Sequence, residues 1–223
     1  MRDEASLRVK VCGVTRPEDA RLATELGAWA VGFIFYPASP RWIDPSVAGE
    51  IVRDLPPGVR RVGVFVNESV AGILAAVRAS GIDTVQLHGS EHPSLGLELS
   101  AAGVRYWRAL RLREVSDIAQ AAAWPEAEML LVDSFVEGQW GGTGVVSDWT
   151  LAQAAATQFP ERLILSGGLT DQNLVSAVRA TRPAAVDVSS GVEERPGIKS
   201  VARMQSFFKA IGRAGDPHAG EAK

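Results

Sequence analysis

Several residues able to move a proton or hold an anion stand where short apolar runs of this 223-residue chain stop. The run at 184–188 contains Asp187 and ends in Ser189-Ser190-Gly191. An unpaired carboxylate inside an apolar strand is costly, so Asp187 is expected to point at a partner, in the protein or in a ligand. The two serines and the glycine offer hydroxyls and unhindered backbone N–H groups, the materials of a phosphate site. A second small-residue turn, Ser166-Gly167-Gly168, follows the apolar run at 163–165. Asp133 ends the most apolar run of the chain, where desolvation is expected to raise its carboxyl toward a usable general acid. Cys12 ends the first run, and a strand-end thiol facing an anionic ligand is a candidate base or nucleophile. Lys10 shares its strand face and is placed to offset the upward push of nearby anions on the thiol. Arg41, after Ser39-Pro40, offers a guanidinium fork for a carboxylate. His88 also ends a run, and packing is its expected role. Each position has a plain structural reading beside the chemical one: Cys12 a small buried hydrophobe, the aspartates local caps, the glycine turns ordinary chain reversals, Arg41 a solvated charge.

The elements that must hold these residues recur as strand, loop and helix. Strands are expected over 7–12, 29–35, 61–66, 84–87, 104–110, 128–133, 163–165 and 184–188. Between them, helical spacing places Leu22 and Leu26, then Val47, Ile51 and Leu55, then Val70, Ile73, Leu74 and Val77 on inward faces. The pattern continues with Leu95 and Leu99, with Val115, Ile118 and Ala122, with a helix at about 148–156, and with one from Thr170 carrying Leu174 and Val178. A last helix presents Val201, Met204, Phe208 and Ile211. Thr15-Arg16-Pro17-Glu18 has the form of a capping box opening the first helix. The glycine-bearing stretch at 134–146 reads as a functional loop, and Trp42, Trp140 and Trp149 as aromatic surface near the mouth of the site or, as is commoner for tryptophan, as core packing.

Eight such units at roughly 28 residues each, with strands apolar on consecutive positions, indicate a parallel sheet covered on both faces. The expected fold is α/β, a single-domain (β/α)8 TIM barrel over 7–213, with 214–223 a disordered tail. An open doubly wound sheet is the alternative, but Cys12-Gly13-Val14-Thr15 is no dinucleotide-binding turn. A barrel places chemistry at the C-terminal strand ends and phosphate in the turns after its last two strands, which are where the residues above stand.

Composition narrows the partners. A net charge of −3 with interspersed charges gives no basic stripe, so nucleic acid and anionic membranes are disfavoured and a small-molecule substrate is favoured. No apolar run reaches spanning length and the first residues lack a signal-peptide core, which points to the cytoplasm. One cysteine and three histidines argue against a disulfide or a metal site, and no cofactor is expected. Monomer and homodimer stay equally open.

Read together, Lys10-Val11-Cys12-Gly13-Val14-Thr15, Gly32-Phe33-Ile34-Phe35 with Ser39-Pro40-Arg41, Val62-Gly63-Val64-Phe65-Val66-Asn67, Val85-Gln86-Leu87-His88-Gly89, Asp133 with Gly141-Gly142-Thr143-Gly144, Leu165-Ser166-Gly167-Gly168-Leu169, and Asp187 to Glu193 with Pro196-Gly197 resemble the phosphoribosylanthranilate isomerases of tryptophan biosynthesis. The departures are mild: valine at positions 11 and 14, and Ser200 where the family often carries aspartate. The resemblance implies a cofactor-free Amadori rearrangement of N-(5-phosphoribosyl)anthranilate to 1-(2-carboxyphenylamino)-1-deoxyribulose 5-phosphate. It implies Asp133 as the acid that protonates the ring oxygen and Cys12 as the base that removes the C2′ proton. It further implies Arg41 on the anthranilate carboxylate, Asp187 on the anthranilate amine, and Gly167, Gly168, Ser189, Ser190 and Gly191 around the phosphate. Another phosphosugar barrel enzyme, or a barrel that only binds a phosphometabolite, is the competing reading. An epimerase would need metal-ligating histidines, an indole-glycerol-phosphate synthase a lysine acid, and a binding-only barrel would be expected to lack Cys12 or Asp133.

Overall fold

A computed structural model of the chain describes residues 7–133 and 149–214. Eight parallel strands, β1 (Arg8–Cys12), β2 (Ala30–Ile34), β3 (Arg60–Phe65), β4 (Thr84–Leu87), β5 (Arg105–Arg111), β6 (Met129–Asp133), β7 (Leu163–Leu165) and β8 (Ala185–Val188), close in sequence order into a barrel. Helices α1 (Pro17–Glu25), α2 (Pro45–Arg53), α3 (Val70–Ser80), α4 (Pro93–Ala101), α5 (Trp149–Gln158), α6 (Leu174–Thr181) and α7 (Val201–Ala214) alternate with the strands. The strands are buried on both faces, one toward the helices and one toward the barrel axis, which is why they read as continuous apolar runs. Val62, Trp107, Leu131, Ile164 and Ala185 fill the axis. Trp29, just before β2, stacks on Trp107 at 5.2 Å and 11°, with the Arg8 guanidinium 4.6 Å from the Trp29 ring. The barrel is therefore closed at its N-terminal end, and chemistry is left to the other. No helix among the described residues is long and apolar enough to cross a membrane.

Several expectations about the elements need correction. Thr15 does not cap α1: Arg16 holds that position without a side-chain cap, and the Thr15 hydroxyl donates instead to Gly197 O at 2.6 Å. The buried face of α1 is Asp19, Ala20 and Ala23, with Leu22 and Leu26 only partly covered, while Val47 of α2 is exposed. The fifth connection is a 3-10 helix, Val115–Ala123, and its buried side chains are Ile118 and Ala121 rather than Val115 and Ala122. Asp117 closes a capping box with Glu114 at its start, and Trp124-Pro125 ends it before an α-helix could settle. Helix α6 begins at Leu174, because Asn173 caps the preceding turn by accepting from Thr170 N and donating to Gly168 O.

On α7 the inward stripe is Met204, Phe207 and Ala210, and Val201 is exposed. Phe208 and Ile211, expected to point inward, are only partly buried against the core. Helix α7 runs through Ala214, one residue past the expected limit. An antiparallel hairpin, β9 (Glu193–Arg195) and β10 (Ile198–Lys199), was not expected and stands between β8 and α7. Gly141 to Gly144, Trp140, the loop around them and residues 215–223 lie outside the described residues.

Candidate active site

Strands β1 and β8 are neighbours, and Lys10 is the register partner of Asp187. Both side chains point into the barrel, where Lys10 Nζ donates to Asp187 Oδ1 at 3.0 Å. Lys10 is 0% exposed and Asp187 6%, so the partner that Asp187 required is in the protein. Removing one member of such a pair strands a buried charge, whereas the pair itself contributes little net stability. Two residues along β1, Cys12 faces the same way and is also buried. Across on β2, a Cβ at Gly32 would lie 2.9 Å from Cys12 Sγ and 3.0 Å from Lys10 Cε, so the bare glycine makes room for both.

Burial pushes the Cys12 thiol up, and Asp187 adds to that push. The cations of Lys10 and Lys199 pull it down without prevailing, so the thiol lies above its ordinary value. Lys10 does offset the anion, as its position on β1 indicated, but desolvation is the larger effect. Lys10 itself stays a cation: burial lowers it, but the attraction of Asp187 and Cys12 outweighs burial and holds it above its ordinary value.

Asp133 ends β6, three strand steps from β1 round the barrel by way of β7 and β8. It is buried, and its Oδ2 lies 3.2 Å from His88 Nε2. His88 is thus more than packing: alternation along β4 points Gln86 and His88 the same way, and Gln86 Nε2 lies 2.8 Å from His88 Nδ1. His88 thus lies between the Gln86 amide and the Asp133 carboxyl, and its tautomer sets which ring nitrogen donates.

After β7, Gly167 and Gly168 take φ values of 92° and 62°, a left-handed path closed to most side chains. After β8, Ser190–Val192 forms a single 3-10 turn. The two turns abut, since a Cβ at Gly191 would stand 1.8 Å from Leu169 O. Ser189 Oγ is buried without a hydrogen-bond partner among the described residues. Adjacent glycine turns with an unspent hydroxyl are suited to an oxyanion such as phosphate. Gly191→Ala should cost about 1–3 kcal/mol in urea unfolding, the range for forcing extra volume into a packed site; an unchanged midpoint would contradict the contact between the turns.

Arg41, from the loop after β2, is already engaged within the protein on one edge of its guanidinium. It is 7% exposed, and its Nε and Nη2 donate to both oxygens of Glu193 at 2.8–3.0 Å. Its stem lies over Gly13, where a Cβ would come within 2.7 Å of Arg41 Cδ. Sequence reasoning assigned Glu193 no role, although Pro196-Gly197 between Glu193 and Lys199 is a hairpin signal that would have paired the two. It also missed Glu91, which receives the Arg108 guanidinium and the backbone N–H groups of Asn67 and Gly89. That network, with Arg108 Cζ 4.4 Å from the Trp124 ring centroid, braces the mouth at β3, β4 and β5.

Comparison with known proteins agrees with this geometry. Residues 9–210 match the family model described as N-(5'phosphoribosyl)anthranilate (PRA) isomerase. The N-(5'-phosphoribosyl)anthranilate isomerase of Dechloromonas aromatica (strain RCB) is 44% identical over 208 residues, 93% of this chain and 97% of its own. The crystal structure of phosphoribosyl anthranilate isomerase from Thermotoga maritima superposes with a TM-score of 0.84 at 40% identity, covering 92% of this chain and 98% of its own. A phosphoribosyl anthranilate isomerase solved in complex with reduced 1-(o-carboxyphenylamino)-1-deoxyribulose 5-phosphate gives 0.79 at 40% identity, with the same coverage.

Proposed function

The chain belongs to the N-(5′-phosphoribosyl)anthranilate isomerase family, and from that premise we propose that Cys12 and Asp133 carry the proton transfers of its Amadori rearrangement. The observation that supports these roles is the placement of a buried thiol beside Lys10 and Asp187 on β1 and β8, with a buried carboxyl on His88 at the end of β6. Asp133 protonates the ribose ring oxygen, the C1′–O bond breaks, and the nitrogen lone pair forms the Schiff base. The Cys12 thiolate then removes the C2′ proton, and the electron pair moves into the C1′–C2′ bond to give an enolamine. Ketonisation delivers a proton to C1′ and leaves the aminoketose, with no atom gained or lost. A thiolate with a raised pKa is scarcer than an ordinary one but a stronger base. Lys10 lies beside the charge as it forms.

The substrate phosphate would rest on the turns of Gly167-Gly168 and Ser189-Ser190-Gly191. Asp187, with Oδ1 on Lys10, would turn its other oxygen to the anthranilate amine. Arg41 would meet the anthranilate carboxylate through Nη1, the edge of the guanidinium that Glu193 does not hold. Arg41→Lys keeps the charge but not the two-sided geometry, so in steady-state assays KM should rise more than kcat falls. A loss confined to kcat would contradict the assignment. The enzyme is expected to act in the cytoplasm on this small-molecule substrate. Growth of a tryptophan auxotroph lacking this isomerase, restored by the chain and not by Cys12→Ser, tests the reading; failure of the intact chain to restore growth would overturn it.

A further inference from the structure

We propose that Glu193 and Lys199 are positioning residues for this reaction, a buried clamp that holds the Arg41 guanidinium, the Cys12 backbone and the Ser189 backbone in one fixed arrangement. The inference rests on the functional reading above and adds to it two residues that touch none of the reacting atoms. Lys199 Nζ donates to Cys12 O at 2.6 Å, to Ser189 O at 3.3 Å and to Glu193 Oε1 at 2.8 Å. Those bonds use all three ammonium protons. They join the end of the strand that carries the proposed base to the start of the proposed phosphate turn. Glu193 Oε1 also accepts from Arg41 Nε and from Gly197 N, and Glu193 Oε2 accepts from Arg41 Nε and Nη2. One carboxylate thus aims the guanidinium and anchors the lysine.

Stability alone is a poor reason for this arrangement. Glu193 is 4% exposed and Lys199 2%, and well-packed apolar side chains in place of a buried ionic group are often as stable or more so. The charges point the same way: burial lowers the Lys199 ammonium below its ordinary value against the pull of Glu193 and Cys12, and while it keeps its proton Arg41, Lys199 and Glu193 sum to one positive charge beside a site for an anionic substrate. Burial pushes Glu193 up, but the hydrogen bonds from Arg41 and the charge of Lys199 outweigh it and keep the carboxyl below its usual range, so it is ionised in the working enzyme. The hairpin that carries both residues is tied down independently. Thr15 Oγ1 donates to Gly197 O, Lys199 N donates to Asp19 Oδ2 at 3.1 Å, and Arg203 Nη1 donates to Glu193 O. These contacts do not involve the two side chains and remain when either is changed.

Two variants of the full chain test the clamp. Lys199→Met keeps length and removes the charge and all three bonds. It should lower kcat/KM about tenfold to a hundredfold, the scale of a displacement of roughly 1 Å at a reacting group. The limb of its pH profile that follows the thiol should also move to higher pH. The charged groups facing Cys12 are Lys10 from β1, Asp187 from β8 and Lys199 from β10, and the loss of Lys199 leaves the thiolate one cation fewer. Glu193→Gln keeps an oxygen for Lys199 and Gly197 N but sets an amide NH2 against the Arg41 donors. It should raise KM with a smaller fall in kcat, and it tests the clamp by itself if Lys199→Met does not fold. Wild-type kcat/KM and an unmoved thiol limb in Lys199→Met, or wild-type KM in Glu193→Gln, would overturn the clamp, and so would a lower melting temperature with unchanged kinetics. An intact chain that does not isomerise N-(5-phosphoribosyl)anthranilate, or a Cys12→Ser variant with normal turnover, would overturn the functional reading instead.

Discussion

Cys12→Ser should lower kcat/KM by ~10²–10⁴-fold, the usual contribution of a positioned base, while leaving product affinity nearly unchanged. A hydroxyl is far too weakly acidic to ionise in this buried place, yet it fits where the thiol stood and leaves the Lys10–Asp187 pair intact. Product affinity, measured by calorimetry, separates a lost base from a collapsed site. The chain has one cysteine, so the ultraviolet difference between the wild type and Cys12→Ser isolates this thiolate from the ionising tyrosines. Because burial raises the thiol, the absorbance should grow in only above the ordinary thiol value of about 8.5. One limb of the kcat/KM profile should share that midpoint, since only the thiolate can act as the base. A thiol titrating below its ordinary value would contradict the environment described for Cys12. Near-normal turnover in Cys12→Ser would pass the role of base to another group, with His88 the first to test.

Asp133→Asn should be as damaging, again by ~10²–10⁴-fold, for a different reason. The amide keeps the shape of the carboxyl and can still hydrogen-bond to His88 Nε2, but it has no proton to give the ribose oxygen. Ring opening would then limit the rate. The two variants part on a substrate that enters already open: a Schiff-base analogue should bypass the need for Asp133 and still require Cys12. Equal losses on the open and closed forms would show that Asp133 acts elsewhere in the reaction. His88→Gln gives a graded comparison, because it disturbs the orientation of Asp133 without removing its proton. Its loss should be smaller than that of Asp133→Asn and expressed in kcat.

The barrel was legible in the sequence because burying strands on both faces leaves a mark in one dimension. Runs such as Met129 to Val132 are apolar on consecutive positions, and eight of them alternate with helical spacing. The strand ends were legible for the same reason, since a polar residue that stops an apolar run is conspicuous. Cys12, Asp133, Asp187 and the two glycine turns were located in that way, and Lys10 was set on the face of Cys12 by alternation alone. Which groups touch was decided only by closure of the barrel. Lys10 meets Asp187 across 177 positions of sequence because β8 returns to pair with β1, and His88 meets Asp133 across 45 because their strands face a common axis. Arg41 could be read as a loop cation, but its commitment to Glu193, 152 residues away, depends on a hairpin that no apolar run announces. The sign of the Cys12 shift was likewise a tertiary matter. Its charged neighbours could be named from spacing, but the depth of burial that outweighs Lys10 is set by side chains from all round the mouth. Local sequence determines what each strand end can do; the closed sheet determines which ends act together and at what cost in desolvation.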